Sequence, residues 1–230
     1  MIQACKKIVI TGPTAVGKSS IIKGVCENLT KDKFKFRYIP EYIDGRKDGL
    51  KMLNKYFTHE ISPFKFQNYI LNYYRDTLKN LRGNNMLIFE RCIDDGITCY
   101  SNLDHKINAL STVEFLRLYD SVKNLDKKYN LPSYILCNNF VFTPIKAIDV
   151  KKTSKLIADI IRSTGNKNNI FGLYHTDDML WHRMCKRNRP GEKESYTRDT
   201  LKEFNAHYRK LYKELMYGDG FKFTELGKLI

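Results

Sequence analysis

The chain has 230 residues, a formal net charge of +15, 42% apolar residues and 13% aromatic residues. This length and apolar content predict one folded domain with a substantial core and exclude a disordered chain. No apolar run has the length of a membrane span, and the first apolar segment, KKIVI, is typical of a strand rather than of a signal peptide. Lysines are spread along the whole chain, which favours a basic cleft for an anionic ligand over specific nucleic-acid binding.

The cysteines and histidines do not form a pattern that predicts a structural metal site. The six cysteines include no CxxC pair, and the five histidines include no HExxH motif. Such cysteines are typical of a reducing compartment, so we expect a cytoplasmic or nuclear protein whose thiols pack in its core.

In chain order, strand-like and helix-like segments alternate. The predicted strands are 7–11 (KIVIT), 34–40 (FKFRYIP), 86–90 (MLIFE), 133–136 (SYIL) and 169–174 (NIFGLY). The predicted helices follow the glycine-rich turn and then cover 64–82, 112–129, 153–163, 177–187 and 197–216. This alternation favours an α/β fold with a central parallel sheet and helices on both faces. The stretch 104–168 resembles an insertion and has the weakest pattern.

The segment GPTAVGKSS fits the phosphate-binding pattern G-x-x-x-x-G-K-[ST] between a strand and a helix. Its glycines let backbone N–H groups converge on phosphate oxygens, and the helix N-terminus adds the positive end of its dipole. Lys18 can reach the β- and γ-phosphates, and the Ser19 hydroxyl can ligate Mg²⁺. The motif therefore predicts ATP or GTP binding. The predicted phosphate contacts are Gly12, Pro13, Thr14, Ala15, Val16, Gly17, Lys18, Ser19 and Ser20.

Charged residues stand at two predicted strand ends, where open α/β sheets bind their ligands. Glu41 follows the second strand and can accept a proton from an attacking hydroxyl. Glu90 and Arg91 end the third strand, where the carboxylate can help to place Mg²⁺ and the arginine can contact the reacting hydroxyl. Taken alone, Glu41 is better explained as an exposed turn glutamate, and a buried structural ion pair is the alternative for Glu90 and Arg91.

Two further segments point to a nucleotide and its phosphates. Gln67 lies on the long predicted helix, and its amide offers one donor and one acceptor to a nucleobase edge. In RMCKRNRPGE, Arg183 and Arg187 are four residues apart and share a helix face, with Arg189 close behind. Guanidinium groups suit phosphoryl oxygens, so the segment 183–194 is interpreted as a lid over ATP.

Together these residues resemble the deoxyribonucleoside kinases and, within them, the herpesvirus-type thymidine kinases. The most specific segment is NIFGLYHTDDMLWHRMCKRNRPGE, which is similar to the fourth core strand and arginine lid of that family. The resemblance extends to four further features: GPTAVGKSS, the PE step after the second strand, the Y…FQ pair, and the E-R step with a tyrosine ten residues later. It covers 6–103 and 169–216 and implies a P-loop kinase three-layer fold with an arginine-rich lid, in one domain over 1–230.

The resemblance also implies a role for each matched position. Glu41 would take the proton of the nucleoside 5′-hydroxyl, and Arg91 would steady both groups. The nucleoside would be bound by Tyr56 and Glu192 at the sugar 3′-hydroxyl, by Gln67 at the base edge, and by Tyr100 and Ile70 at the faces of the base. The transferring phosphate would be held by Lys18, Arg183, Arg187 and Arg189. Ser19 and Glu90 would organise Mg²⁺, the implied cofactor beside the co-substrate ATP.

The implied reaction is phosphorylation of thymidine by ATP for nucleotide salvage and DNA synthesis, with deoxycytidine as the next substrate. The resemblance further implies a homodimer, and the lack of a long apolar run predicts no association with a membrane. Abundant lysine and asparagine suggest a virus with an AT-rich genome, which would place the protein in the host cytosol or nucleus. Cys92 stands where many family members have serine or histidine, and the tryptophan that usually comes shortly after the catalytic glutamate is missing after Glu41, so base selectivity stays open.

Two other classes share several of these features. A thymidylate-type monophosphate kinase would need an extra basic group near Glu41, for which Arg46 is the candidate. A basic P-loop ATPase that binds nucleic acid would need an aspartate after an apolar strand, whereas MLIFER offers glutamate.

Overall fold

The computed structural model describes residues 6–81, 86–101, 104, 108–135, 140–189, 192 and 196–217. Within these residues one five-stranded sheet is formed, in the order β2-β3-β1-β5-β4. Every pair of neighbouring strands is parallel. The strands are β1 (Lys7–Thr11), β2 (Phe36–Ile39), β3 (Met86–Glu90), β4 (Phe140–Lys146) and β5 (Asn168–Tyr174).

The described helices connect these strands. They are α1 (Lys18–Lys31), α2 (Tyr42–Gly45), α3 (Gly49–Phe57), α4 (Pro63–Lys79), a π-helix (Gly96–Ser101), α5 (Thr112–Tyr129), α6 (Val150–Ser163), α7 (Asp177–Arg187) and α8 (Arg198–Tyr217). No helix among the described residues is both long enough and apolar enough to cross a membrane.

The sheet is covered on both faces. Successive residues of a strand point to opposite faces, so Ile8 and Ile10 of β1 pack in one core and Val9 packs in the other. The first core lies mainly between the sheet and helices α1, α6 and α7, and the second mainly between the sheet and α4, α5 and α8. Continuous apolar runs such as KIVIT and MLIFE are what a parallel strand covered on both faces requires.

Most predicted elements are confirmed. β1, β2, β3 and β5 match four predicted strands, α5 and α7 have the predicted bounds, and α4, α6 and α8 agree to within a few residues. NIFGLY is the fifth strand in chain order and pairs with β1 in the middle of the sheet. The two short helices α2 and α3 and the π-helix were not predicted.

The prediction of a strand at 133–136 is wrong. Tyr134 and Ile135 form a turn, and Leu136 lies outside the described residues. The backbone N–H of Ile135 donates to Asp94 Oδ2 at 3.0 Å, and the Ser133 hydroxyl donates to the same oxygen at 2.7 Å. The buried carboxylate of Asp94 therefore takes the backbone N–H of Ile135, which in a strand would be donated to the neighbouring strand. The stretch 104–168 instead supplies α5, the edge strand β4 and α6.

Candidate active site

The segments that follow β1, β2 and β3 line one cavity of about 390 Å³. The carboxyl ends of parallel strands meet at one edge of the sheet, which is where such folds bind ligands. Of the site residues predicted from the sequence, all line this cavity except Gly12, Pro13 and Val16.

The phosphate loop depends on backbone conformations that glycine allows. Gly17 ends the loop at the N-cap of α1 with φ of 100°, and Gly12 has φ of 148°. A Cβ atom at Gly12 would lie only 2.5 Å from the carbonyl oxygen of Leu173 in β5. The first glycine of the motif is therefore required both by its conformation and by its close approach to the neighbouring strand.

Lys18 is buried at the start of α1. Its Nζ donates to the carbonyl oxygens of Gly12 at 3.1 Å and Pro13 at 3.0 Å. Burial and the positive charge of Arg91 lower the pKa of Lys18 to about 7, although three nearby carboxylates oppose the shift. The ammonium group is thus held inside the loop, at the place where a phosphate would replace the two carbonyl groups as its partner.

Glu41 and Arg91 form a buried ion pair in the cavity wall. Arg91 Nε lies 2.6 Å from Glu41 Oε1, and both side chains are 11% exposed. Burial alone raises the pKa of Glu41, but Arg91 and Lys18 outweigh it, so the net pKa is lowered and the carboxylate is ionised at neutral pH. Glu41 is held by α2, whose Gly45 N–H donates to the Glu41 carbonyl oxygen at 2.8 Å.

Arg91 has further partners that fix its position. Its Nη1 donates to the Gly12 carbonyl oxygen at 3.1 Å and to the Tyr208 hydroxyl at 2.9 Å. Its guanidinium carbon lies 5.3 Å from the centre of the Tyr100 ring. The backbone φ of Arg91 is 76°, a strained conformation for a non-glycine residue of the kind that clusters at functional sites.

Asp95 is a buried carboxylate of the site that the sequence analysis missed. It accepts a hydrogen bond from the Thr11 hydroxyl, and its Oδ2 lies 3.9 Å from Arg91 Nη1. Burial raises the pKa of Asp95 to about 6, so the group is mostly ionised at neutral pH. It adds a second negative charge beside Arg91. The signal in the sequence was the acidic pair DD shortly after the E-R step.

Ser19 and Glu90 lie together at the mouth of the phosphate loop. The Ser19 hydroxyl donates to Glu90 Oε1 at 2.7 Å, and the Tyr38 hydroxyl donates to the other carboxylate oxygen. Oxygen atoms of this kind are the ligands that Mg²⁺ prefers, so both residues fit the ion. Among the described residues no group of three or more His, Cys, Asp or Glu side chains is placed to hold a metal, so phosphate and water would complete the coordination.

The opposite part of the wall is aromatic and apolar, with a few polar groups. Gln67 on α4 is buried, and its amide forms no hydrogen bond with the described residues. The Tyr56 ring stacks on Phe66 with centroids 4.5 Å apart. Tyr100 and Ile70 also line this part of the cavity. This is the composition expected of a pocket for a flat organic ligand with one hydrogen-bonding edge.

The arginine segment reaches the cavity from α7. Arg183 Nη1 donates to the Val16 carbonyl oxygen of the phosphate loop at 2.9 Å. Arg187 forms a two-point ion pair with Glu192, with Nε lying 3.2 Å from Oε2. Arg189 lines the cavity and is close enough to Glu41 to help lower the pKa of that carboxyl, a minor effect beside burial, Arg91 and Lys18. The predicted helix stop at Pro190 and Gly191 lies outside the described residues.

Arg46 does not line the cavity. Its guanidinium group pairs with Asp76 at 2.6 Å and lies 5.0 Å from the centre of the Tyr69 ring. The candidate basic group for a monophosphate substrate is therefore occupied elsewhere on the surface.

The fold is similar to that of two solved structures. The deoxyadenosine kinase from M. mycoides with bound dATP superposes with a TM-score of 0.56 at 19% identity, over 92% of this chain and 86% of that chain. The same kind of enzyme from M. mycoides with bound dCTP gives a TM-score of 0.53 at 20% identity, over 92% and 85%. No family model matches the sequence, and no curated protein matches it. The chain thus has the P-loop kinase fold, with a central parallel sheet flanked by helices.

Proposed function

We propose that this protein is an ATP-dependent deoxynucleoside kinase, which transfers the γ-phosphate of ATP to the 5′-hydroxyl of its substrate. The observation that carries the proposal is the buried Glu41–Arg91 pair, with Nε and Oε1 2.6 Å apart, in the same cavity as the phosphate loop. A carboxylate kept ionised beside bound phosphates is suited to accept a proton from an attacking hydroxyl.

In the proposed mechanism most of the catalysis is positioning and charge stabilisation. Glu41 accepts the proton of the 5′-hydroxyl as that oxygen bonds to the γ-phosphorus, while the bond from that phosphorus to the β,γ-bridging oxygen breaks and ADP leaves. Arg91 holds the carboxylate and the hydroxyl in place. Lys18 and the arginines of α7 balance the charge on the transferring phosphoryl group. When bound, Mg²⁺ would be held by Ser19 and Glu90 and would neutralise charge on the β- and γ-phosphates.

For the acceptor we propose thymidine, with its base against Gln67 and Tyr100. The buried Gln67 amide, which has no partner among the described residues, supports a base edge that offers one donor and one acceptor. An amide can turn over to suit several bases, and the two structural neighbours are deoxyadenosine kinases. Deoxyadenosine, deoxycytidine and deoxyguanosine therefore belong in the same assay. Thymidine monophosphate belongs there too, although the pairing of Arg46 with Asp76 speaks against it.

The Glu41→Gln variant tests the proposal. It keeps the size of the side chain and removes the proton acceptor, so we expect binding of Mg·ATP to be retained and turnover to fall by roughly 10²-fold or more. Initial rates of phosphorylation with each nucleoside measure this effect, and calorimetry measures ATP binding. Glu27→Gln, on the exposed side of α1, is the matched control and should behave as the parent protein. Turnover that survives in Glu41→Gln would remove Glu41 from the reaction.

A further inference from the structure

We infer that Asp104 is a positioning residue, which turns the Tyr56 hydroxyl into a hydrogen-bond acceptor and so selects substrates that carry a free 3′-hydroxyl. The inference rests on the proposed function, because it concerns the sugar end of the same cavity. It adds a residue that neither the motif pattern nor the resemblance indicated.

The contact between the two side chains is direct. The Tyr56 hydroxyl donates to Asp104 Oδ1 at 2.9 Å. Asp104 is buried and is not part of the cavity wall, whereas Tyr56 lines the cavity. The Tyr56 ring is held by its stack on Phe66, with an interplanar angle of 10°. Asp104 thus acts on a bound ligand through Tyr56.

The direction of this hydrogen bond decides what Tyr56 can offer. A phenol has one proton to donate, and an ionised carboxylate can only accept. Burial raises the pKa of Asp104 to about 6, against the opposing effect of the Tyr56 hydroxyl, so Asp104 is mostly ionised at neutral pH. The phenol proton is then committed to Asp104, and the oxygen of Tyr56 meets the cavity with its lone pairs.

Glu192, like Tyr56, can only accept hydrogen bonds from a ligand. Both of its oxygens accept from Arg187, and as a carboxylate it has lone pairs left for a ligand but no proton. Tyr196 lies near both Tyr56 and Glu192. Burial raises the pKa of Tyr196, and the charges of Tyr56 and Glu192 add to that increase. Tyr56 and Glu192 therefore accept hydrogen bonds from a ligand at this end of the cavity and have no proton of their own to give.

A sugar hydroxyl suits such a site because it can donate. A hydrogen at the 3′ position leaves the acceptors without a partner, and a 3′-phosphate adds negative charge beside Glu192. Buried acceptors left unpaired are costly, which is how polar pockets discriminate against analogues that lack one hydroxyl.

The test compares thymidine with 2′,3′-dideoxythymidine in the parent protein, Asp104→Asn, Tyr56→Phe and the double variant. We expect Asp104→Asn and Tyr56→Phe each to lower kcat/KM for thymidine roughly tenfold, mainly through KM, and to leave the dideoxy substrate unchanged. The double variant should be no worse than Tyr56→Phe alone, because Asp104 acts through Tyr56. Asp48→Asn is the matched control: Asp48 accepts from the exposed Tyr69 hydroxyl away from the cavity, and its loss should change neither substrate.

Thermal melts report whether each variant folds, and Asp104→Ser replaces Asp104→Asn if the latter does not. An equal loss on both substrates, or additive losses in the double variant, would mean that Asp104 only supports the structure and would overturn the inference. Kinetics with thymidine that stay unchanged in Asp104→Leu, which removes the acceptor that an asparagine amide could still offer, would also overturn it. If the parent protein phosphorylates deoxyadenosine instead, the same comparison is made with deoxyadenosine and its 2′,3′-dideoxy analogue. A parent protein that phosphorylates no nucleoside refutes the proposed function itself, which separates that failure from a failure confined to Asp104.

Discussion

The charge of Lys18 depends on what the phosphate loop holds. Its Nζ contacts two carbonyl oxygens, and burial and Arg91 lower its pKa to about 7. A bound triphosphate brings several negative charges to within contact distance, which favours the protonated form. The lysine therefore gains a proton when ATP binds at or above neutral pH.

This gives a prediction about ATP binding. At pH 8 we expect net proton uptake, and the affinity for ATP should fall as the pH rises above 7, by at most roughly tenfold per pH unit for a single titrating group. Calorimetry in buffers with different ionisation enthalpies measures the uptake directly. In Lys18→Arg, which stays charged over this range, the buffer dependence should disappear. A binding enthalpy that is the same in every buffer for the parent protein would contradict the lowered pKa of Lys18.

At the scale of elements, α5 is tied to the segment before the π-helix by two buried carboxyl groups. Asp126 of α5 lies close to Asp94, whose Oδ2 accepts from Ser133, and neither carboxyl oxygen of Asp126 has a hydrogen-bond partner among the described residues. Two carboxylates repel each other, so a proton on Asp126 is needed for this contact. Burial and then the negative charge of Asp94 raise the pKa of Asp126 well above its ordinary value.

The linkage between this proton and folding has a definite sign. In the unfolded chain Asp126 loses its proton near pH 4, and in the folded protein it keeps the proton to higher pH. Its contribution to stability is thus fully present below that pH and is lost as the pH rises through the folded pKa. In Asp126→Asn the amide donates to Asp94 without titrating. We expect the free energy of unfolding of this variant, relative to the parent, to rise with pH by up to about 1.4 kcal/mol per unit.

Denaturant unfolding at several pH values measures this difference. Asp120→Asn, on the exposed side of the same helix, is the control and should show no such trend. A parent and an Asp126→Asn variant whose stabilities run parallel with pH would show that Asp126 holds no proton in the folded state.

The sequence predicts a strand well when both faces of that strand are buried by helices. β1, β3 and β5 are buried on both faces and read as continuous apolar runs. β4 was missed because it is an edge strand, half exposed along much of its length, and carries Pro144. Proline is tolerated at an edge, where its missing N–H is needed by no neighbour, but it weakens the strand signal. SYIL was predicted as a strand from its composition alone. The turn that it forms contacts the carboxylate of Asp94, which lies 39 residues away from Ser133 in the chain.

At the scale of the whole molecule, the candidate site joins side chains that the chain order separates widely. Glu41 and Arg91 could be predicted to meet because both follow parallel strands, whose carboxyl ends share one edge. The residues that hold Glu41 and Arg91 in position could not be predicted from the sequence. Tyr208 reaches Arg91 only because α8 packs on the sheet, 117 residues further along the chain. Asp104 is recognised only through its contact with Tyr56, 48 residues earlier. The reactive side chains at strand ends can be predicted from local sequence patterns. The side chains that hold them in place depend on how distant helices pack.

The charged residues behind the net charge of +15 fall into two groups, those that line the cavity and those on the exposed surface. Lys18 is buried and Arg91 is largely buried beside Glu41, Glu90 and Asp95, where salt screens little. Most of the other basic side chains are exposed, and exposed cations attract any polyanion in a way that fades as salt rises. Binding of single-stranded DNA at low salt would therefore be expected of this surface and would not by itself indicate a function.

The salt dependence separates the proposed kinase from a nucleic-acid-dependent ATPase. Between roughly 50 and 200 mM salt we expect DNA association to weaken by orders of magnitude, because several exposed cations release their counterions together. Phosphorylation of the nucleoside should change little over the same range, because the Glu41–Arg91 pair is shielded from solvent. DNA should not stimulate ATP hydrolysis at either concentration. Fluorescence anisotropy with labelled DNA and a coupled ADP assay on the same samples measure the three quantities. ATP hydrolysis that needs DNA, and still does at the higher salt, would move the function from the cavity to the basic surface.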